Sequence, residues 1–110
     1  MDNELQPDPL KIVVSPNPAS TVANIIINHR FPGSETYYEV RIFDLTGHLV
    51  WMRAETATAD GRGSHVVSWD LTGAAGGGTT SGIYPFRVTV RSGEGEEVSE
   101  GQKIIVLKNK

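Results

Sequence analysis

Apolar and polar residues alternate along much of this chain of 110 residues. The alternation is clearest in residues 81–90, where every second position from Tyr84 onward is apolar. These positions are Tyr84, Phe86, Val88 and Val90. A period of two is typical of a β-strand with one buried and one solvated face. The segment is therefore predicted to be a strand that borders the core.

Six further segments, separated by turn-forming residues, have the length and the β-branched content of strands. The seven predicted strands are residues 10–14, 21–28, 37–43, 48–53, 64–69, 81–90 and 98–108. Helix signals are weak, because the chain has 12 glycines and 6 prolines and no long apolar period of 3.6 residues. Short strands between frequent turns predict an all-β fold, an antiparallel seven-stranded β-sandwich of immunoglobulin-like type.

The tetrapeptide Asp-Leu-Thr-Gly occurs at residues 44–47 and again at 70–73, each time after a predicted strand. Aspartate can bond the backbone two residues on, and glycine at the fourth position accepts a left-handed conformation. Both copies are therefore predicted to be turns of one kind. Residues 92–97 are predicted to form a further, acidic turn before the last strand.

Pro85 conflicts with its place inside a predicted strand, because proline has no N–H to donate to a neighbouring strand. We expect the strand either to lie at a sheet edge at this point or to begin pairing only at Phe86.

Length and composition indicate one globular domain with a modest core. Its largest pieces are predicted to be the side chains of Trp51, Trp69, Tyr38, Tyr84 and Phe86. Residues 10–110 are assigned to this domain. Residues 1–9 are polar, contain two prolines, and are interpreted as a linker from an upstream passenger.

The formal charge of −3 gives no basic surface for a phosphate backbone, so nucleic acid is not an expected partner. The absence of cysteine excludes disulfides and thiolate chemistry. No apolar run approaches the roughly 20 residues that a spanning helix needs. The polar N-terminus is unlike a signal peptide, so an exported parent is expected to carry its leader upstream.

Candidate sites for chemistry are few. His29, His48 and His65 lack the spacing of paired metal ligands and are interpreted as structural or solvated. The acidic residues of segment 94–100 could hold calcium, but a charged hairpin that keeps a sheet edge soluble is the favoured interpretation. The glycine-rich residues 76–80 lack the Gly-Lys-Ser/Thr of a phosphate loop, and no Gly-x-Ser-x-Gly is present. No catalytic residue, metal, cofactor or small-molecule substrate is predicted, and we expect no enzymatic activity.

Four short motifs follow one another along the chain. They are Pro16-Asn17-Pro18, the strand–turn–strand of residues 40–50 with Gly47, the pair Gly82 and Tyr84, and the terminal run Lys103, Ile104, Ile105, Val106, Leu107, Lys108. In this order they resemble the C-terminal sorting domain of proteins exported by the type IX secretion system of the Bacteroidetes, over roughly residues 12–108. Trp69-Asp70, followed by a glycine-rich loop and residues 81–84, is also similar to the immunoglobulin-like domain of the flagellar hook-capping protein.

The resemblance implies that the domain is a secretion signal. A passenger would pass through the periplasm and cross the outer membrane because an outer-membrane translocon or shuttle β-barrel protein recognises the domain. A sortase could then cut near the linker and attach the passenger to the cell surface. A parent that is itself part of the sorting machinery, such as the sortase, would keep the domain.

A physical hypothesis for recognition is that the terminal strand, residues 103–108, binds the β-barrel partner through main-chain bonds and through contacts of its lysines. The alternative function is an immunoglobulin-like spacer or a carbohydrate-binding accessory domain of a secreted enzyme. A row of exposed aromatic side chains would favour carbohydrate binding, whereas here the aromatic residues fall mostly on predicted apolar faces. The passenger and the oligomeric state are left open.

Overall fold

A computed structural model describes residues 10–29, 31, 33–59, 61, 63–73, 77–93 and 95–108. The predicted linker, residues 1–9, lies outside this part of the chain. The described residues form the strands β1 Lys11–Ser15, β2 Ala23–Asn28, β3 Glu35–Phe43, β4 Leu49–Thr58, β5 Ser64–Trp69, β6 Gly82–Ser92 and β7 Gly95–Val106. None of the elements in these ranges is a helix long and apolar enough to cross a bilayer.

The strands form two sheets, one in the order β1-β2-β5 and the other in the order β4-β3-β6-β7. Every pairing between neighbouring strands within these sheets is antiparallel. The predicted all-β, antiparallel fold is therefore confirmed. Side chains from both sheets belong to one hydrophobic core.

The alternation seen in the sequence decides which side chains enter that core. In β6 the apolar positions from Tyr84 to Val90 are buried, and in β2 the buried positions are Ala23, Ile25 and Ile27. Each fully buried aliphatic side chain contributes about 1.5–3 kcal/mol through the hydrophobic effect. The core is therefore supplied mainly by every second residue of the inner strands.

Aromatic side chains join the two sheets. The Trp69 ring of β5 lies 5.7 Å from the Tyr84 ring of β6, edge to face, and 6.2 Å from the Trp51 ring of β4. Of the five aromatic residues predicted for the core, Trp69, Tyr38, Tyr84 and Phe86 are buried. Trp51 is half-buried and packs against the core from its rim.

The last hairpin differs from its prediction, because β7 begins at Gly95 inside the segment expected to be an acidic turn. Ser92 pairs with Gly95, and Arg91 pairs with Glu96 across the hairpin. The Arg91 guanidinium lies 3.2 Å from the Glu96 carboxylate. Opposite charges directly across an antiparallel pair stabilise it, so acidic residues are compatible with a strand here. β4 is likewise longer than predicted and continues to Thr58.

Pro85 lies inside β6, which is an inner strand of its sheet. It stands opposite Lys103 of β7, and Ile83 stands opposite Ile105. The N–H and the carbonyl of Ile105 both bond to groups on the far side of β7, so that pair exchanges no main-chain bonds. Because bonded and non-bonded pairs alternate, the Pro85 pair two residues along is also non-bonded. The described pairing with β3 begins at Phe86. Neither neighbouring strand therefore requires an N–H from residue 85.

Replacing a buried residue of β2 tests the assignment of the core. Ile25→Ala removes a fully buried side chain and is expected to lower the free energy of unfolding by about 2–5 kcal/mol. The matched control is Val66→Ala on the neighbouring strand, where the side chain is half exposed, so a loss under about 1 kcal/mol is expected. Urea denaturation followed by tryptophan fluorescence measures both. Equal losses for the two variants would contradict the assignment.

Candidate functional site

The sequence motifs lie together at one end of the two sheets, referred to below as the motif end. It comprises residues 16–19, 44–47, 81–84 and 103–108. Residues 16–18 follow β1, and Ala19 forms a parallel bridge with Val106, the last residue of β7. Gly82 pairs with Val106 from the other side. The turn with Gly47 is at the same end, because the end of β3 pairs with the first half of β6.

Asn17 and Ala19 cover the outer edge of β7. The side-chain Oδ1 of Asn17 accepts a hydrogen bond of 2.9 Å from the Ile105 N–H, and its Nδ2 donates one of 3.4 Å to the Lys103 carbonyl. Further along, the Ala19 N–H donates to the Ile105 carbonyl at 2.7 Å, and the Ala19 carbonyl accepts from the Leu107 N–H at 2.9 Å. The amide of Asn17 and the main chain of Ala19 thus occupy the positions that a further strand would take.

These bonds contradict the hypothesis that a partner pairs with the main chain of residues 103–108. β7 is at the edge of its sheet, but the outward main-chain groups named above already have partners within the chain. The side chains of Ile104 and Val106 are fully buried. What the segment offers at the surface is the side chains of Lys103, Ile105 and Leu107, so the main-chain mode of recognition is wrong for this structure.

The motif that contains Gly82 and Tyr84 supports the end of the terminal run. The hydroxyl of buried Tyr84 donates a hydrogen bond of 2.7 Å to the Thr80 carbonyl. The hydroxyl of Ser81 accepts one of 2.9 Å from the Lys108 N–H. A β-carbon at Gly82 would meet the Tyr84 ring at 3.8 Å, which is an ordinary contact, so this structure gives no steric reason for glycine there.

Lys108 also lines an open cleft of about 330 Å³ beside the motif end. The other lining residues are Ser20, Thr21, Asp70 and Leu71. A β-carbon at Gly78 would lie 3.1 Å from the Lys108 Nζ, so a side chain at that position would displace the lysine. The Asp70 carboxylate is already bonded by its own turn. The charged groups of the cleft are therefore one lysine and one carboxylate that is already hydrogen-bonded within its own turn.

The two Asp-Leu-Thr-Gly turns share one set of bonds. Asp44 Oδ1 accepts from the Thr46 hydroxyl at 2.6 Å and from the N–H groups of Thr46 and His48 at 2.9 and 3.0 Å. Asp70 Oδ1 accepts from the Thr72 hydroxyl at 2.6 Å and the Thr72 N–H at 3.3 Å. In each turn the threonine hydroxyl is the main reason that the pKa of the aspartate lies below its ordinary value.

The left-handed residue differs between the two turns. In the first it is Gly47, with φ of +92°, as predicted from the fourth position of the motif. In the second it is Leu71, with φ of +66°, whose side chain is buried in the core. Burial of an apolar side chain compensates there for a conformation that leucine rarely adopts. The prediction of one turn used twice therefore holds for the aspartate bonds and is wrong for the backbone.

Two of the three histidines, His29 and His65, contact Tyr38 at the opposite end of the sheets. The His29 Nε2 lies 2.7 Å from the Tyr38 hydroxyl, and the His65 ring stacks on the Tyr38 ring with centroids 3.9 Å apart. The His65 Nε2 lies 2.5 Å from a Glu55 carboxylate oxygen. Sequence reasoning missed this cluster, because its members come from four different segments. The pairing of β2 with β5 places Ile27 opposite His65, the pairing of β3 with β4 places Tyr38 opposite Glu55, and the packing of the two sheets brings them together.

The other candidate sites have structural partners. His48 contacts the Thr46 hydroxyl in its turn. Within the described ranges, no group of three or more histidine and acidic side chains is placed to hold a metal ion. Of the acidic segment, Glu96 pairs with Arg91, while Glu94 lies outside the described residues. In the glycine-rich stretch, Thr79 donates from its N–H and its hydroxyl to the Leu71 carbonyl, both at 2.9 Å.

Replacing Asn17 tests whether its amide covers β7. Asn17→Ala removes two hydrogen bonds, and a loss of about 1–3 kcal/mol in unfolding free energy is expected, with faster hydrogen exchange at the Ile105 amide. The control is Asn24→Ala, which loses a bond from the Ser68 hydroxyl on the other sheet. Amide exchange followed by NMR separates the two variants. Unchanged protection of the Ile105 amide in Asn17→Ala would show that the cover is not formed.

The twin turns provide each other's control in a pH titration. Thr46→Val removes the hydroxyl that contributes most to the lowered pKa of Asp44, so that pKa is expected to rise toward its ordinary value. Thr72→Val should do the same at Asp70 alone. A lowered pKa in the folded state stabilises the fold above the ordinary pKa, and this is lost as pH falls through the folded value. NMR titration of the carboxyl carbons measures both. Thr46→Val leaving Asp44 unchanged would contradict the assignment.

No protein-family model matches this chain, and neither does any curated protein. Among solved structures, the chain is similar to part of dimeric latent PorU from Porphyromonas gingivalis, with a TM-score of 0.78 and 32% identity over 94% of this chain. The matched part is 10% of PorU, so the chain spans about a tenth of that protein.

Two further structures match this chain at lower identity, and the first of them shares its fold. FlgD from Xanthomonas campestris, which is involved in hook capping for flagellar assembly, matches 88% of this chain and 64% of its own, with a TM-score of 0.57 and 22% identity. PorZ, an essential surface component of the type IX secretion system of P. gingivalis, matches 87% of this chain and 11% of its own, with a TM-score of 0.45 and 23% identity. The resemblance predicted from the motifs, to the type IX secretion C-terminal domains and to the hook-capping protein, is confirmed.

Proposed function

We propose that this domain is a C-terminal secretion signal, which directs a passenger across the outer membrane by the type IX system. The observation that carries the proposal is the likeness to PorU at 32% identity over nearly the whole chain. We also propose that the two sheets form an immunoglobulin-like sandwich. In this proposal the domain has no chemistry of its own, and its partners are an outer-membrane translocon or shuttle β-barrel protein and a sortase.

The arrangement of the motifs supports recognition of a folded surface. The exposed side chains of residues 16–18 adjoin those of Lys103, Ile105 and Leu107, although some 85 residues separate them in the chain. They are neighbours only when the edge of β7 is covered by Asn17 and Ala19. A partner that binds both groups would therefore select the folded domain in the periplasm and ignore the unfolded chain.

The kind of parent protein that carries the domain decides what happens after export. A cut near residues 1–9 would release the passenger from the signal for attachment to the cell surface. A component of the sorting machinery, such as a sortase, would keep the domain as part of the mature protein. Both outcomes use the same recognition step at the motif end.

The alternative of a carbohydrate-binding domain has less support. Binding of sugars by a sheet face requires aromatic side chains exposed in a row. In the described part of the chain the aromatic side chains are buried or half-buried. Half-buried Tyr37 donates its hydroxyl to Glu39 at 2.7 Å and lies under the Arg91 guanidinium at 4.5 Å. These contacts occupy its polar end and one ring face.

A reporter fusion tests the proposed function. Residues 1–110 are fused to the C-terminus of a reporter with its own inner-membrane export signal, in bacteria with a working type IX system. At least about tenfold more reporter is expected at the cell surface or in the medium than in the same strain without the translocon. The control is the reporter without the domain, which should stay in the periplasm of both strains. Equal amounts outside both strains would refute the proposal.

Truncation is a poor substitute for this test. Removing residues 103–110 would also remove the buried side chains of Ile104 and Val106. Loss of two core side chains costs several kcal/mol, so the truncated domain would fail to fold whatever its partner binds. Point substitutions of exposed side chains are required to separate recognition from folding.

A further inference from the structure

The outer face of the four-stranded sheet has an apolar patch at the motif end. The patch consists of Phe43, Leu49, Met52, Ile83, Pro85 and Ile105. Leu49, Met52, Ile83 and Ile105 are each between 40% and 43% exposed, and none of the six belongs to the core or packs against it. Contiguous exposed apolar side chains on a small domain mark an interaction site more often than scattered ones do.

The strand register places these side chains next to one another. Ile83 of β6 lies opposite Ile105 of β7, in a non-bonded pair whose side chains approach closely. Phe43 of β3 lies opposite Leu49 of β4. Because Ile42 pairs with Phe86, Phe43 and Pro85 follow at the next position of their adjacent strands. The patch therefore runs without a break across all four strands of the sheet.

Cationic side chains border the patch on the same face. Lys103 stands opposite Pro85, and in the next row Arg41 stands opposite Arg87. Like charges directly opposite each other destabilise a sheet, and this pair is accompanied by Glu39, which bonds Arg41. The border thus holds three cationic side chains and one carboxylate, although the whole chain carries a formal charge of −3. Toward the other end the face becomes polar, with Thr89 and the Arg91–Glu96 pair.

We propose that this patch is the docking surface for a protein partner whose contact surface is apolar at its centre and bordered by carboxylates. The inference rests on the proposed function and names the chemistry of the partner that recognises the signal. The patch shares Ile105 and Lys103 with the terminal motif, so it continues the surface on which residues 16–18 lie. An acidic border on the partner matches the cationic border here and fixes the orientation of docking.

The charges favour such a protein over the other possible occupants. A protein binds an anionic membrane surface through a cluster of four to eight basic residues, and each residue contributes about 1 kcal/mol to the binding free energy. The border of the patch has three, a fourth basic residue of this face, Arg91, is paired with Glu96, and the net charge of the chain is negative. A second copy of the domain docked through the same patch would bring the cationic borders together. A protein partner with carboxylates around its contact surface needs no larger basic cluster and brings no like charges together.

The reporter fusion in the type IX-competent strain tests the inference with point variants. Ile83→Thr with Ile105→Thr removes apolar surface and keeps β-branched side chains, and Lys103→Glu reverses the border charge. Each is expected to lower surface display at least about tenfold, with the reporter retained in the periplasm. The matched controls are Val66→Thr and Lys11→Glu, exposed positions on the three-stranded sheet, which should be displayed like the unchanged fusion. Protease resistance of the periplasmic fusion shows that each variant is folded.

The outcomes separate this inference from the proposed function. Folded patch variants that are displayed as well as the unchanged fusion would overturn the docking surface and leave the secretion signal standing. An unchanged fusion that is not exported would overturn both. Two measurements on the purified domain address the other occupants. The first is co-sedimentation with vesicles of equimolar phosphatidylethanolamine and phosphatidylglycerol, and the second is dimerisation in analytical ultracentrifugation. If either is observed and the paired Ile→Thr variant abolishes it, the patch binds a membrane or a second copy, and the proposal is overturned.

Discussion

The structure depends on how the outer edge of its last strand is satisfied. An exposed edge presents main-chain N–H and carbonyl groups that can pair with any other strand, and proteins avoid this by covering it. Here Asn17 and Ala19 provide the cover, and they belong to the loop that leaves β1 of the other sheet. The same four bonds therefore close the edge and hold the two sheets together at the motif end.

Much of the fold could be predicted from the sequence, because β-strands carry a local signature. The alternation from Tyr84 to Val90 and the glycine at position 47 each reflect a constraint acting within a few residues. The left-handed Leu71 could not be predicted, since the core that compensates for it is assembled from distant strands. The start of β7 was misplaced for a similar reason, because Glu96 is stabilised by Arg91 on the preceding strand.

The candidate site was predicted as a set of motifs but not as an arrangement. The sequence motif Pro-Asn-Pro does not indicate that the asparagine side chain bonds Ile105 and Lys103, which are 88 and 86 residues away. Once that contact is known, the first and last motifs become a single surface, and the main-chain pairing inferred from residues 103–108 is replaced by contacts of side chains. The apolar patch was equally invisible, because it takes one or two residues from each of four strands.

Pro85 has a consequence for which neighbouring strand holds the start of β6. In the observed alignment it faces a residue of β7 whose main chain is turned away from it. Because that pair exchanges no main-chain bonds, the missing N–H of Pro85 is on the side of β3, and the described ladder between β3 and β6 ends at Ile42 and Phe86. The ladder between β6 and β7 continues past the proline to Gly82 and Val106. The imino acid thus frees the start of β6 from one neighbour and leaves it bonded to the strand that carries the terminal motif.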